Sequence, residues 1–182
     1  MNAYDVLGIE PRLVLTSGEI DAAWRDAGKS HHPDAGGDEQ SFTAAREAKT
    51  TLTNPSSRLA HWLELHGHPV DPRGPISAEI MDLFSPVGDV MQRTGSLTRR
   101  RAATTTALGL AMLESETHHA RADIDATIPT LDAAIATQCA RFPAWQAAPA
   151  ELDAAEAATT VRNLRFLEKW KRDLMAAYAS LA

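Results

Sequence analysis

The chain has 182 residues, 44% hydrophobic and 23% charged, with one cysteine, a balance that excludes intrinsic disorder, a collagen-like repeat and a disulfide framework. Its 24 acidic against 18 basic side chains leave a formal charge of -6, so no nucleic-acid partner is expected and the run Arg99-Arg100-Arg101 reads as a solvated helix end. The longest apolar run, residues 107–113, is far short of the roughly 20 residues of a transmembrane helix, and the N-terminus lacks the regions of a signal peptide; the expectation is a cytoplasmic protein with no membrane partner.

Abundant alanine, 5% aromatics and few β-branched runs predict an all-α fold. Residues 2–8 read as a short helix ended by Gly8. Thr16 and Glu19 have capping-box spacing, and Ile20, Ala23, Trp24, Ala27 and His31 then recur at helical intervals. Pro33, with no N–H to donate, must stop that helix and biases His32 away from helical dihedrals. After a glycine-bearing loop, Asp38 can cap a helix carrying Phe42, Ala45, Ala48 and Leu52. Asn54-Pro55 interrupts it before Leu59, Trp62, Leu63 and His66 mark another. The segment is thus a helical hairpin with a polar tip, flanked by two short helices.

Gly67, Pro69, Pro72, Gly74 and Pro75 then place a connector near residue 70, dividing the chain into 1–70 and 71–182. In the longer part, Ile76, Ile80, Met81, Leu83 and Phe84 begin a helix that Pro86 and Gly88 should kink or break. Residues 97 to about 119 are helix-prone. Ile124, Ile128, Leu131, Ile135, Cys139 and Phe142 form the next stripe, with Pro129 near a helix start or at a kink, and Pro143 and Pro149 mark a connection. Val161, Leu164, Leu167, Trp170, Leu174, Tyr178 and Leu181 keep to steps of three and four. Three or four helices in a bundle would bury these stripes.

His32-Pro33-Asp34 sits at the tip of the hairpin. Tyr4, Leu7, Gly8 and Ile9 before it, and Phe42, Ala48, Leu52, Asn54, Pro55 and Arg58 after it, stand where a J-domain has its tyrosine, leucine-glycine, phenylalanine, alanine, leucine, turn and arginine. On these residues, segment 2–66 resembles a J-domain. The resemblance implies a co-chaperone that engages a DnaK-type chaperone and stimulates its ATP hydrolysis. Pro33 suits that role as a rigid turn, His32 as an orientable ring and Asp34 as a carboxylate for a partner arginine. A helix stop followed by a cap-like aspartate is the plain alternative for the tripeptide. The family also turns a basic face of the preceding helix toward the chaperone. Arg25 and Lys29 match it, whereas Asp21, Asp26 and Ser30 stand where basic residues are usual. Residues 1–70 hold six basic and ten acidic side chains, so attraction to an acidic partner should be weak. The rival reading is a J-like adaptor without ATPase-stimulating activity.

Residues 161–169, Val-Arg-Asn-Leu-Arg-Phe-Leu-Glu-Lys, resemble the last-helix motif of the HscB family, J-domain co-chaperones of iron-sulfur cluster assembly. Pro55, Arg58, Trp62-Leu63, Leu65-His66-Gly67 and Leu13-Val14-Leu15-Thr16 fit the same family, and the likeness thins between residues 88 and 155. It implies an HscA-like chaperone and an IscU-type scaffold protein, the latter bound through an apolar patch with acidic neighbours. By motif the patch falls on Ile80, Met81, Phe84 and Phe166. The acidic neighbours are not matched, since Pro86 and Gly88 occupy that stretch and only Asp82 and Asp89 are near. Phe166 lies roughly 90° from the mean direction of the terminal stripe, which suits a partner contact or packing at the flank of the core.

His61, His66 and His68 read as helix-end surface residues, with no carboxylate or thiol to complete a metal set. The adjacent His118 and His119 face different directions on a helix. No phosphate loop, nucleophile elbow or carboxylate pair is legible, so neither cofactor, metal nor intrinsic enzymatic activity is expected.

Overall fold

In the computed structural model, which describes residues 2–31 and 39–181, every regular element among the described residues is helical. Helix α1, Ala3–Leu7, is closed at both ends by local chemistry. The Asn2 side chain accepts from Tyr4 N and Asp5 N, Asp5 returns a bond to Asn2 N, and Gly8 turns the chain away at φ 63°. Helix α2, Ser17–His31, starts on the expected capping box. Thr16 N donates to Glu19 Oε2 at 2.8 Å, and Glu19 N donates to Thr16 Oγ1 at 3.2 Å.

Helix α3, Glu39–Thr53, and α4, Pro55–Leu65, are separated at Asn54, with Pro55 at the first helical position, where no N–H is required. Their apolar faces join α1 and α2 over Tyr4, Leu7, Leu13, Ile20, Ala45, Ala48, Leu52, Leu59, Trp62 and Leu63, all buried. The Tyr4 hydroxyl donates to Arg12 O at 3.0 Å, and burial pushes its pKa up. The predicted stop at Pro33, the cap at Asp38 and the tripeptide His32-Pro33-Asp34 lie outside the described residues.

The chain forms two compact units, and they are partitioned differently from a cut near residue 70. The first unit is Met1–Pro75 with Cys139–Arg165; the second is Ile76–Gln138 with Phe166–Ala182. Hydrogen bonds and a ring contact tie 139–165 to the residues before 76. In α8, Phe142–Ala147, the Gln146 carboxamide oxygen accepts from Leu13 N and Val14 N, each at 2.9 Å. The Arg58 guanidinium lies 5.9 Å from the Phe142 ring centroid. After a 3-10 turn at Pro149–Glu151 comes α9, Ala154–Ser180, in which Arg162 donates to Pro75 O at 2.8 Å and Asp71 O at 3.2 Å. Gly74, at φ 141°, gives that guanidinium its room, because a Cβ there would come within 3.0 Å of it.

The second unit contains α5, Ala78–Met81, α6, Phe84–Ala103, α7, Ala107–Cys139, and the later part of α9. Its core is Ile80, Val87, Val90, Leu97, Leu113, Ile124, Leu131, Leu167, Leu174 and Leu181. Several sequence expectations are corrected here. Pro86 does not break a helix. It is the third residue of α6, where a missing N–H costs nothing, and the chain breaks earlier, at Asp82-Leu83. Helix 97–119 is likewise redrawn, with a break at Thr104-Thr105-Thr106. Thr104 Oγ1 donates to Arg100 O, and Thr106 Oγ1 accepts from Gly109 N, so these side chains stop one helix and start the next. Helix α7 then runs unbroken through His119 and Ile124, with Pro129 in its interior, while Phe142 belongs to α8. Arg100 and Arg101 are not simply solvated: they pair with Glu116 and Glu114 of α7 at 2.6 and 3.5 Å.

Candidate functional site

The residues that the sequence singles out for partner contacts fall in both units, those of the tripeptide outside the described residues. In the first unit, α2 holds Arg25 and Lys29 on its exposed side. Both are engaged locally: Lys29 Nζ lies 2.8 Å from Asp26 Oδ1, and Arg25 Nε donates to Asp21 O at 3.1 Å. Asp21 in turn pairs at 2.8 Å with Lys49 of α3, whose ammonium stands 4.2 Å from the Trp24 ring centroid. The hydrogen bonds and charge of Lys29 and Lys49 lower the pKa values of Asp26 and Asp21 respectively. The two unexpected aspartates therefore answer the lysines beside them, which reduces the positive charge that this face presents.

In the second unit, α5, the start of α6 and the α9 stretch beginning at Phe166 bring most of the second set together. Met81, Phe84 and Phe166 are 53%, 40% and 36% exposed. Ile80 is corrected: at 2% exposure it is a core residue beneath the patch, because the single turn of α5 directs it inward and Met81 outward. The ring centroids of Phe84 and Phe166 are 5.5 Å apart, with planes inclined at 57°. Both rings also meet Trp170, which stands edge-on to Phe84 at 4.7 Å and 5.9 Å from Phe166. Sequence reasoning had placed Trp170 only in the buried stripe. Its four-residue spacing from Phe166, one helical turn, was the available signal.

Four of the histidines have partners within the fold. His61 Nε2 accepts from Ala3 N at 3.1 Å, His66 Nδ1 lies 2.8 Å from Trp62 O, and the His118 and His119 rings meet edge-on at 6.5 Å. Among the described residues no group of three metal-ligating side chains is assembled, and no helix is long and apolar enough to cross a membrane. The first unit thus presents a charge-paired helix face, and the second an exposed ring cluster.

Residues 2–61 match the family model of the DnaJ domain. No curated protein sequence matches the chain. Among solved structures it is similar to the chaperone HscB from Vibrio cholerae, with a TM-score of 0.62, 19% identity, and 100% of each chain covered. At that identity the likeness is one of fold. The chain thus carries an N-terminal DnaJ domain within an HscB-like, all-α architecture.

Proposed function

We propose that the chain is a cytoplasmic co-chaperone that engages a DnaK-type, HscA-like chaperone, stimulates its ATPase and delivers an iron-sulfur scaffold protein of IscU type. The observation that carries this reading is the DnaJ-domain match over residues 2–61, which spans His32, Pro33, Asp34, Arg25 and Lys29. In this reading the tripeptide meets the chaperone, with the Asp34 carboxylate as the group that would pair with a partner arginine. The exposed ring cluster supports a protein client, bound at Met81, Phe84 and Phe166 with Ile80 as the floor. Such an adaptor works by binding alone and asks for no cofactor or reaction of its own.

A single-turnover ATPase assay with the DnaK-type chaperones of the same organism tests the role. Stimulation is expected from the wild type and should be abolished by His32→Gln. The second reading, an adaptor that keeps the fold without driving ATP hydrolysis, is favoured by the Asp26–Lys29 and Asp21–Lys49 pairs. Stimulation of none of those chaperones would select it.

A further inference from the structure

Helix α7 buries one side and leaves the opposite side without charge over its first 20 residues. Leu113, Thr117, Ala120 and Ile124 form the buried line. Half a turn round, Leu108, Ala111, Met112, Ser115, Ala122 and Ala126 are all exposed and share about 100° of arc with the equally exposed His119. A surface helix ordinarily turns charged side chains to water on that side. Here Leu108 and Met112 stand 75% and 74% exposed, the two most exposed large apolar side chains among the described residues. On one border of the arc Glu116 and Asp123 are engaged by α6, pairing with Arg100 at 2.6 Å and with Arg93 at 3.1 Å. On the other border His118 and Asp125 stand about 80° and 100° from the line of Leu108 and Ala126, outside the arc. The face is separate from the ring cluster, to which α7 contributes no residue.

We propose that this face of α7 pairs antiparallel with the same face of a second copy of the chain. The face is complementary to itself in charge and in size. A charged partner finds no opposite ion within the arc, whereas a second α7 buries no ion against it. Leu108 and Ala126 are five helical turns apart and point the same way. A two-fold axis at the level of Thr117 therefore brings each Leu108 opposite Ala126 of the other copy. It also sets Met112 at the level of Ala122, so that large side chains meet small ones on both halves of the seam. The seam is about 27 Å long, which places it among weak interfaces of less than about 1,200 Å² in total, with a Kd on the order of 10–100 µM.

Sedimentation equilibrium of the full-length chain from roughly 5 to 500 µM tests this. Salt at about 0.15 M screens the formal charge of -6 on each copy beyond about 8 Å. A monomer–dimer equilibrium is expected. Leu108→Glu should weaken it about tenfold, and Ala126→Lys about fivefold. An equimolar mixture of the two variants should recover association to within about threefold of the wild type. In the mixed dimer the introduced acid and base face each other, while the second Leu108–Ala126 contact is unchanged. Both substitutions fall at exposed positions of α7, and a circular dichroism melt accompanies each variant's sedimentation run. Ala126→Lys decides the matter alone if Leu108→Glu unfolds. A chain that stays monomeric at the highest concentration, dimers that neither variant weakens, or a mixture that associates no better than the separate variants overturns the proposal.

Discussion

Replacing Phe84 and Phe166 by alanine separates a binding surface from a core. The rings are 40% and 36% exposed, which leaves about 80 and 70 Å² of each available to a partner if a phenylalanine presents roughly 200 Å². At about 25 cal/mol per Å², covering both supplies close to 4 kcal/mol as a ceiling. Ordering costs at an interface trim that figure, so the double variant should lose about 1 to 3 kcal/mol of scaffold binding, roughly 5- to 150-fold in Kd. Its stability should also fall, because the hidden parts of both rings contact Trp170. Half-exposed rings cost less than the 3 to 5 kcal/mol of fully buried ones, so the fold should survive. Calorimetric titration well below the variant's melting temperature, with circular dichroism on the same sample, reads both quantities. A variant that stays folded and binds the scaffold as tightly as the wild type refutes the assignment of these rings to the client.

Three further outcomes are expected. Gln146→Leu leaves Leu13 N and Val14 N without their acceptor and should destabilise the chain by about 1 to 2 kcal/mol in urea unfolding, at unchanged m-value. The backbone and hydroxyl of Thr16, with Arg12, hold the Glu19 carboxyl at about 2, below its ordinary 4.5. Since the folded pKa is the lower one, this stabilisation is present above about 4.5 and is lost as pH falls toward about 2; Glu19→Gln should flatten that part of the stability curve. Asp26→Arg frees Lys29 and adds a positive charge on α2, so association with an acidic chaperone surface should quicken in stopped-flow measurements, most at low salt.

The parts legible in the sequence were those fixed by local chemistry. The Thr16–Glu19 box, the first-turn Pro55 and the terminal stripe from Val161 each state their structure within a few residues, and the helices follow them. The break at residues 104–106 was missed because each threonine alone is only a mediocre helix former; hydrogen bonds from Thr104 and to Thr106 make the stop. The return of 139–165 to the first unit was invisible because its contacts, such as Gln146 to Leu13, join residues far apart in the chain and leave no periodic trace. At the candidate sites, motif spacing located Met81, Phe84 and Phe166 but could not tell Ile80, pointing inward, from its neighbour. Trp170 belongs to both the stripe and the ring cluster, and spacing alone reports only the stripe.

The Gln146 and Arg162 contacts also set an order of events during synthesis. The first 75 residues leave the ribosome well before the residues that complete their unit have been made. At roughly 5–20 residues per second, the stretch of about 90 residues up to Arg165 takes about 5–18 s to add. Through that interval the amides of Leu13 and Val14 and the carbonyls of Asp71 and Pro75 have only water as partner, and the hairpin must persist on its own apolar contacts. The contacts that complete the first unit are therefore added in two steps, Gln146 with α8 and Arg162 only with the last helix.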